Sequence, residues 1–361
     1  MKKRHPRIFM TAWTNITQAQ CLNARALVRH LDKEKLDVGA MVVYSGDLPV
    51  EDIPGVKYFK VRYPAKIWGL VQLVRGIVWS DVVYCQNPGY WRLQKWLTRL
   101  LGKKTFGTVE GVYCGIAKER GMAAFGGVEG IREFHGFKNK SFAITKAMIE
   151  KNKAAVGLPD QDGVLYLGTD YEEFAAEKKV DKLTDVILIG ADLKRKGIAD
   201  YIELARRFPQ LKFHVAGGGV GGVDYAAQCR ESGLENIIFH GSVSHAKLKP
   251  LLAQVQLHIF PSRAEGFPKV TLETAAAGVP SVVYGDYGAD EWIETGKSGF
   301  VVKTLDEMAA VISSLLYPPP PHRKYPMQTD AHAACRNFPM ARAKWRADST
   351  GARWSKIGNA A

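Results

Sequence analysis

The fold is decided by one stretch of the chain, Pro261-Ser262-Arg263-Ala264-Glu265-Gly266-Phe267-Pro268-Lys269-Val270-Thr271-Leu272-Glu273, in which a turn joins a strand to a helix. The residues just before it, 256–260 (QLHIF), are mostly apolar and predict a buried strand. Pro268 suits the first position of a helix, and Gly278 followed by Pro280 is typical of a helix end. This order predicts a parallel sheet whose carboxyl edge faces a ligand.

Two carboxylates belong to this stretch: Glu265 lies in the loop, and Glu273 lies about a turn into the helix. Both can face the same crevice, where carboxylates are good acceptors for the vicinal hydroxyls of a sugar. The N–H groups and the dipole of the helix N-terminus favour a diphosphate there. Taken alone, however, the pair is better explained as two acids that complement the helix dipole.

With Pro-Ser before the first acid and Gly-Phe-Pro after it, the stretch resembles the Glu, seven residues, Glu signature of retaining glycosyltransferase family 4. The resemblance implies that Glu273 holds the ribose of a nucleotide. It implies that Glu265 and the backbone of Gly266, Phe267 and Pro268 meet the transferred sugar. It also implies a GT-B fold, an α/β architecture of two Rossmann-like domains whose parallel sheets face a central cleft.

A second segment extends the resemblance. Residues 188–197 followed by 201–205 look like the first strand, loop and helix of the family's donor domain, in which a Lys before Gly binds the diphosphate. Lys196 takes that position here, and a lysine suits a pyrophosphate as a point charge. The family usually has an Arg directly after the strand's glycine, where this chain has Ala191; Arg195 or Lys194 is expected to compensate. Taken alone, the basic cluster would be a solvated surface.

A glycine loop follows the next predicted strand and satisfies Gly-x-Gly-x-x-Gly through Gly217, Gly219 and Gly222. A lone match of this kind is weak evidence for a dinucleotide, and the strand over residues 236–240 ends without the acid that would hold an adenosine ribose. The loop and the segment around Val243 instead resemble the family's glycine loop and its nucleobase-facing segment. We therefore expect no cofactor, only a nucleotide-diphosphate sugar as donor substrate.

The length of 361 residues, 46% of them apolar, is sufficient for two hydrophobic cores. Strands alternate with helices in both halves, which predicts two doubly wound domains. The turn-rich segment 157–163 suggests an acceptor-binding domain over 1–162 and a donor-binding domain over 163–335. The basic tail, 336–361, is expected to return to the first domain, as the family's C-terminal helix does.

Metal and disulfide chemistry are not indicated. The five cysteines are scattered and odd in number, which fits small core residues in a reducing cytoplasm. Asp160 and Asp162 match a metal-binding Asp-x-Asp by letter, but they lie in the predicted linker, where a solvated turn is the better explanation. The basic N-terminus is not a signal peptide, and no apolar stretch reaches the roughly 18 residues of a membrane span.

The formal charge of +14 implies acidic ligands or surfaces. One concentration is the segment 91–104, which has five basic residues and no acidic residue, with Trp96, Leu97, Leu100 and Leu101 at helical spacing. Such a helix either lies on anionic lipid or packs its apolar face on its own sheet, and the sequence favours neither. No nucleic-acid-binding signature is present, so no nucleic acid partner is expected. The predicted location is cytoplasmic, peripheral on the inner face of the plasma membrane.

The acceptor domain is less clearly marked. Glu110 follows the predicted strand 105–109 at the position where many family members place a His near the reacting centre. A Glu there could orient an acceptor hydroxyl or take its proton, or it could be an ordinary loop residue. His135 is a weaker candidate and is expected to be exposed.

The resemblance to family 4 implies a retaining, metal-independent hexosyltransferase with Glu265, Lys196 and Glu110 as the expected catalytic residues. The predicted acceptor is a cell-envelope glycan or a lipid-linked glycan of the polysaccharide or lipopolysaccharide type. Two alternatives stay open. One is a non-hydrolysing sugar-nucleotide epimerase on the same fold; the other is a non-catalytic sugar-nucleotide-binding partner subunit, which Ala191 and Glu110 make conceivable.

Overall fold

A computed structural model of the chain describes residues 4–16, 19–44, 48, 50–176, 182–218, 221–317, 345–347 and 354–356. The chain divides into two compact units between Leu167 and Gly168, whereas the sequence predicted the division after residue 162. The predicted tail, 336–361, lies outside the described residues except for two short antiparallel strands, which group with the first unit.

The first unit contains a six-stranded parallel sheet in the order β3-β2-β1-β4-β5-β6. Its strands are β1 (Arg7–Trp13), β2 (Asp37–Val43), β3 (Val56–Val61), β4 (Val82–Tyr84), β5 (Lys104–Val109) and β6 (Lys140–Ala143). Its helices are α1 (Ala19–His30), α2 (Ala65–Trp79), α3 (Trp91–Leu100), α4 (Gly115–Phe125), α5 (Val128–Gly136) and α6 (Lys146–Val156). The central strand β1 is buried over Ile8–Ala12 on both faces, as a parallel sheet covered by helices requires.

Helix α2 lies close against this sheet. A Cβ added to Gly76 would fall 2.1 Å from the ring of Phe9 on β1, so only a glycine permits the approach. Leu73 and Ile77 of the same helix are buried beside it. One face of α2 is therefore buried in the core of the first unit.

The second unit repeats the architecture, with the strand order β12-β11-β10-β7-β8-β9 and every pairing parallel. Its strands are β7 (Asp185–Ile189), β8 (Lys212–Ala216), β9 (Ile237–Phe239), β10 (Leu257–Phe260), β11 (Ser281–Tyr284) and β12 (Gly299–Val302). Its helices are α7 (Tyr171–Phe174), α8 (Ile198–Arg207), α9 (Tyr225–Glu231), α10 (His245–Gln254), α11 (Val270–Ala276) and α12 (Leu305–Leu316), with a 3-10 turn at Ala289–Glu291. The short pair β13 (Trp345–Ala347) and β14 (Trp354–Lys356) follows later in the chain.

Each sheet has a topological switch point. In the second unit the chain builds outward from β7 through β8 to β9 and then resumes at β10, on the opposite side of β7. In the first unit the reversal lies between β1 and β4. Ligands of open α/β sheets bind beyond the carboxyl ends of the strands at such points. The predicted fold class, two α/β units with parallel sheets, is confirmed.

Neither a metal cluster nor a membrane-spanning helix is found within the described ranges. Asp160 and Asp162 pair with Lys153 and Lys140 on the surface of the first unit. Cys21, Cys85 and Cys229 are buried, Cys114 is exposed, and all four are free thiols; Cys335 lies outside the described residues.

Candidate functional site

The two loops that the sequence singled out meet in the second unit. Residues 190–197 follow β7 and residues 261–269 follow β10, and these two strands are neighbours across the switch point. Gly197 has φ +81°, and a Cβ there would lie 2.1 Å from the carbonyl oxygen of Pro261. Only glycine satisfies both conditions. The loops are thus in backbone contact at the edge where this fold class binds ligands.

Glu265 is the centre of a buried polar cluster between these loops. Its Oε1 accepts hydrogen bonds from Arg195 Nη1 at 2.7 Å and from Lys196 Nζ at 2.9 Å. Arg195 Nη1 also donates to the carbonyl oxygen of Ala264 at 3.1 Å. The side chain of Glu265 is only 7% exposed and that of Lys196 12%, so this ion pair is shielded from solvent, whereas Arg195 reaches in from the surface. The structure brings together three of the four charged residues that the sequence predicted for the donor site, Arg195, Lys196 and Glu265.

Ser262 is a member of this cluster that the sequence analysis missed. Its Oγ lies 2.7 Å from Glu265 Oε1 and 3.0 Å from the carbonyl oxygen of Arg195. A hydroxyl has one proton and donates to one of the two at a time. The sequence signal for Ser262 is its position three residues before Glu265, in the Pro-Ser pair that precedes the first acid of the signature. Ser262 holds both loops at the point where the charges meet.

Lys196 lies in a low-dielectric setting. Its Nζ is 4.8 Å from the centroid of the Phe260 ring. Burial lowers the pKa of Lys196, and the carboxylate of Glu265 opposes that shift. Burial, with a contribution from the charge of Lys196, lowers the pKa of His258 to about 3, so this histidine is neutral. A buried ammonium requires an anionic partner; Glu265 supplies one, and a phosphate group is chemically suited to supply another.

The glycine loop after β8 packs directly on this site. A Cβ on Gly217 would lie 1.9 Å from the carbonyl oxygen of Gly190, and one on Gly190 would lie 2.6 Å from Cγ of Lys196. The N–H of Gly217 donates to the carbonyl oxygen of Gly241 at 2.7 Å. Gly217 therefore allows the loop after β8 to approach the loop that bears Lys196. Gly219, predicted in the same role, lies outside the described residues.

The aromatic part of the β10–α11 loop is structural. The ring of Phe267 is buried and packs on Trp292, with centroids 4.5 Å apart. Trp292 Nε1 donates to Thr271 Oγ1 at 3.0 Å, and that hydroxyl donates to the carbonyl oxygen of Pro268 at 2.8 Å. These contacts fix the loop and leave its backbone as the part of Phe267 that can meet a ligand. Gly266, between Glu265 and Phe267, is half-buried.

Glu273 lies in the first turn of α11, as predicted, and is half-buried. The helix begins at Val270 rather than at Pro268, because the backbone before it forms a tighter turn in which Thr271 N donates to the carbonyl oxygen of Pro268. Its predicted end is confirmed, since Gly278 has φ +73° directly after the C-cap. Val243, assigned to the nucleobase segment, packs against the buried cluster that contains Phe174.

Three hydrogen-bonded side chains, those of Asp185, His214 and His240, lie across the same sheet and were not predicted. His214 Nε2 lies 2.9 Å from Asp185 Oδ1, and His214 Nδ1 lies 2.9 Å from His240 Nε2. The two rings stack with centroids 5.2 Å apart. Because Asp185 can only accept as a carboxylate, Nε2 of His214 donates the hydrogen bond to it. These hydrogen bonds connect β7, β8 and the end of β9, next to Gly241.

Glu110 belongs to the first unit, at the carboxyl end of β5. Its Oε2 accepts from Asn23 Nδ2 at 2.8 Å, and its Oε1 accepts from Thr108 Oγ1 at 2.7 Å and from the Tyr84 hydroxyl at 3.4 Å. The carboxylate is half-buried and firmly held. Asn23 and Tyr84 had no predicted role.

The expectation that His135 is exposed is wrong. It is 4% exposed because α5 packs it among aromatic rings, with Phe134 at a centroid distance of 4.9 Å. Its Nε2 pairs with the hydroxyl of Tyr113 at 2.8 Å. Burial lowers the pKa of His135 well below its ordinary value, so it stays neutral. It is a core residue of the first unit.

Part of the chain is similar to a described family and to two curated proteins. The family described as glycosyl transferases group 1 matches residues 170–329. An α-galactosylglucosyldiacylglycerol synthase of Streptococcus pneumoniae is 39% identical over 101 residues, which is 26% of this chain and 27% of that protein. A glycogen synthase of Mycobacterium tuberculosis is 30% identical over 155 residues, 40% of this chain and 37% of that protein. The chain thus spans about a quarter to just over a third of these relatives.

Solved structures are similar over almost the whole chain. The crystal structure of Anabaena HepE in complex with UDP and glucose superposes with a TM-score of 0.69, covering 92% of this chain and 95% of that one. The identity is 17%, so the likeness shows the fold. The chain therefore has the GT-B fold, and its residues 170–329 are similar to the glycosyl transferases group 1 family.

Proposed function

We propose that the protein is a retaining glycosyltransferase of family 4 that moves a hexose from a nucleotide-diphosphate sugar to a cell-envelope glycan or lipid-linked acceptor. The observation that carries the proposal is the meeting of Lys196, Arg195 and Glu265 on two loops beside the switch point of the second sheet. Two cations and a carboxylate suit the two halves of such a donor, the diphosphate and the sugar. The family domain over residues 170–329 contains all three.

In the proposed reaction, Lys196 and Arg195 stabilise the negative charge that grows on the diphosphate as its bond to the anomeric carbon breaks. Glu265 and the backbone from Gly266 to Pro268 hold the sugar hydroxyls and orient the ring. The acceptor oxygen bonds to the anomeric carbon from the face that the diphosphate leaves. Its proton passes to an oxygen of the leaving phosphate, so the configuration is retained and no metal is needed to balance the charge.

The acceptor side is proposed to use the first unit. Glu110, held by Asn23 and Thr108, is positioned to orient an acceptor hydroxyl rather than to swing freely. Of the two curated relatives, one is named for a glycolipid and the other for glycogen, so their names alone do not select the acceptor. We propose an envelope acceptor held in lipid, with the enzyme at the cytoplasmic face of an anionic membrane, because the basic charge is concentrated in the first unit.

One incubation separates this proposal from its alternatives. Radiolabelled sugar nucleotides are mixed with the protein, with and without membrane extract, and both the lipid-soluble label and the free sugar nucleotides are analysed. A transferase produces labelled lipid or glycan only with extract. An epimerase would convert the sugar nucleotide without extract, and a binding subunit would leave all label in the donor; either result would overturn the proposed function.

Replacing Glu273 by Gln is expected to weaken binding of the nucleotide diphosphate by about 1–3 kcal/mol, because an amide replaces a charged acceptor at the ribose. Calorimetric titration measures the loss directly. The matched control is Glu231→Gln on exposed α9, which should bind like the parent. Equal affinity of the Glu273 variant and the control would remove Glu273 from the ribose site.

Sugar transfer is expected to continue when metal ions are chelated, since the positive charges of Lys196 and Arg195 take the place of a metal cation at the diphosphate. Activity is measured in excess EDTA and again after manganese is added back. Unchanged rates in both conditions are the expected result. A rate that falls in EDTA and returns with manganese would contradict metal independence and direct attention to Asp160 and Asp162.

A further inference from the structure

The exposed apolar side chains of this protein are concentrated in one region. Fourteen large hydrophobic residues of the described chain are exposed, and nine of them fall within residues 63–101 of the first unit. They are Tyr63, Ile67, Leu70, Val71, Val78, Tyr90, Trp96, Leu100 and Leu101. Single exposed apolar residues are ordinary, but a concentration of this kind marks an interaction surface.

On α2 these residues form a stripe. Ile67, Val71 and Val78 lie at helical positions i, i+4 and i+11, which share one side of the helix. They are 62%, 39% and 55% exposed. The opposite side, with Leu73 and Ile77, is buried on the sheet. Helix α2 is therefore apolar on both sides, although a surface helix of a soluble domain normally turns charged residues to water.

Helix α3 lies beside α2 and adds to the same surface. The hydroxyl of Tyr90 donates to the carbonyl oxygen of Lys66 at 2.8 Å, and Lys103 Nζ donates to the carbonyl oxygen of Val78 at 3.1 Å. These bonds join the two helices near both of their ends. The apolar residues of α3 are divided between two sides: Trp91 and Leu97 are buried, whereas Trp96 and Leu100 are 59% and 63% exposed. One side of α3 packs on the domain and the other side is exposed.

The charge around this surface has one sign. Residues 55–109 contain ten basic residues and one acidic residue, Asp81. Asp81 is itself paired with Arg4 at 2.7 Å. Exposed Arg62, Lys66 and Arg75 have no ion-pair partner among the described residues. This segment supplies +9 of the chain's formal charge of +14.

One predicted member of the basic set is corrected. Lys95, which the sequence counted among the residues available to a membrane, donates to Glu133 at 3.3 Å and is 25% exposed. Its partner on α5 holds it within the fold. Arg99, on the exposed side of α3, has no such partner in the described part of the chain.

We propose that the exposed sides of α2 and α3, here called the α2–α3 surface, form a docking site for an anionic lipid bilayer. The apolar stripe enters the boundary between headgroups and acyl chains, and the flanking arginines and lysines pair with lipid phosphates. Tyr63, Tyr90 and Trp96 are of the residue types enriched at that boundary. The proposal deepens the proposed function by naming the surface that brings the enzyme to a lipid-held acceptor, but it can fail while donor binding stands.

A second copy of the chain fits the α2–α3 surface less well than an anionic bilayer does. A symmetric dimer sets the same patch against itself. Such a contact would bring two surfaces of strong positive charge together and would desolvate both. An anionic bilayer presents the complementary sign over an area wider than either helix. The charge pattern thus selects lipid over self-association.

The test is flotation of the full chain with vesicles of phosphatidylcholine alone or with phosphatidylglycerol, at low and at high salt. Binding should require the anionic lipid and weaken with salt, since screening shortens the reach of the surface potential. Part of the vesicle binding should persist at high salt because the apolar stripe is inserted in the bilayer. Trp96 should be quenched by brominated lipid, so the parent should lose more fluorescence than Trp96→Phe.

Two sets of substitutions test the apolar part and the basic part of the α2–α3 surface separately. Ile67→Gln with Val71→Gln should abolish the salt-resistant part, and Arg62→Gln with Lys66→Gln and Arg75→Gln should weaken binding about tenfold or more at low salt. The controls are Val223→Gln with Ile238→Gln, and Lys212→Gln with Lys247→Gln, on exposed positions of the second unit. Both should bind vesicles like the parent, and all variants should keep parental affinity for nucleotide diphosphate.

Three results would overturn the proposal. The first is vesicle binding that the α2–α3 variants do not change, and the second is no quenching of Trp96. The third is sedimentation that shows a dimer lost in Ile67→Gln with Val71→Gln, without vesicle binding by the parent. Retained nucleotide binding in any of these cases shows that the docking surface, and not the donor site, is wrong.

Discussion

Replacing Lys196 by methionine is expected to lower kcat about 10²–10³-fold, the usual effect of removing one group that stabilises charge in a transition state. Methionine keeps the aliphatic stem beside Phe260 and removes only the ammonium. Binding of the nucleotide diphosphate should weaken as well, because Lys196 Nζ is the most buried cation of the cluster. Transfer of labelled sugar and calorimetric titration measure the two effects.

The matched control is Lys194→Met, two residues earlier on the same loop. Lys194 is exposed, whereas Lys196 contacts Glu265 at 2.9 Å. The control should retain parental rates and affinity. If Lys196→Met fails to fold, Arg195→Gln tests the same cluster from its solvent-exposed side. Equal activity of the Lys196 and Lys194 variants would contradict the donor site.

Replacing Glu265 by Gln is expected to lower kcat about 10²-fold, the size of effect that loss of substrate orientation produces. Affinity for the free nucleotide diphosphate should stay near that of the parent, because the proposed contacts of Glu265 are with the sugar. The unliganded variant should be about 3 kcal/mol less stable, since a buried ammonium loses its counter-charge. Because the diphosphate binds both proteins with similar affinity, it should stabilise the variant and the parent by similar amounts, which thermal unfolding with and without ligand measures.

Glu294→Gln serves as the control, because Glu294 pairs with Lys297 on the surface, where both side chains are more than half exposed. It should show parental kcat and stability. The assignment of Glu265 to the sugar would be contradicted if Glu265→Gln weakened diphosphate binding strongly while turnover at saturating donor stayed parental.

Much of the fold was predictable from local pattern. Strands β1, β2, β5, β8 and β10 are short apolar runs between turn residues, and both halves alternate strands with helices, so two doubly wound units follow. Strands β3, β6 and β12 were missed. Strand β3 alternates buried and exposed residues at the edge of its sheet, and β6 has four residues with a lysine at its start, so neither shows a continuous apolar run. Strand β12 is an edge strand of four residues that begins with a glycine.

The sequence predicts which residues belong to the candidate site, but it does not predict which of them contact one another. Lys196 and Glu265 were found because each follows a strand, and the signature around each is specific. Their ion pair depends on β10 lying next to β7, which is a property of strand order rather than of local sequence. The chain from Asp185 through His214 to His240 likewise depends on the register of β7, β8 and β9. The apolar stripe of α2 was missed because burial, not spacing, distinguishes an exposed apolar face from a core-facing one.

The central claim is that the switch point of the second sheet binds the diphosphate of a sugar nucleotide through Lys196. Calorimetric titration of the full chain with a panel of nucleoside diphosphates, repeated with Lys196→Met and Lys194→Met, tests it most directly. At least one diphosphate should bind the parent and Lys194→Met equally well, and should bind Lys196→Met at least about tenfold more weakly, in line with a charge-assisted contact. Absence of binding for every diphosphate, or equal affinity for all three proteins, would contradict the account.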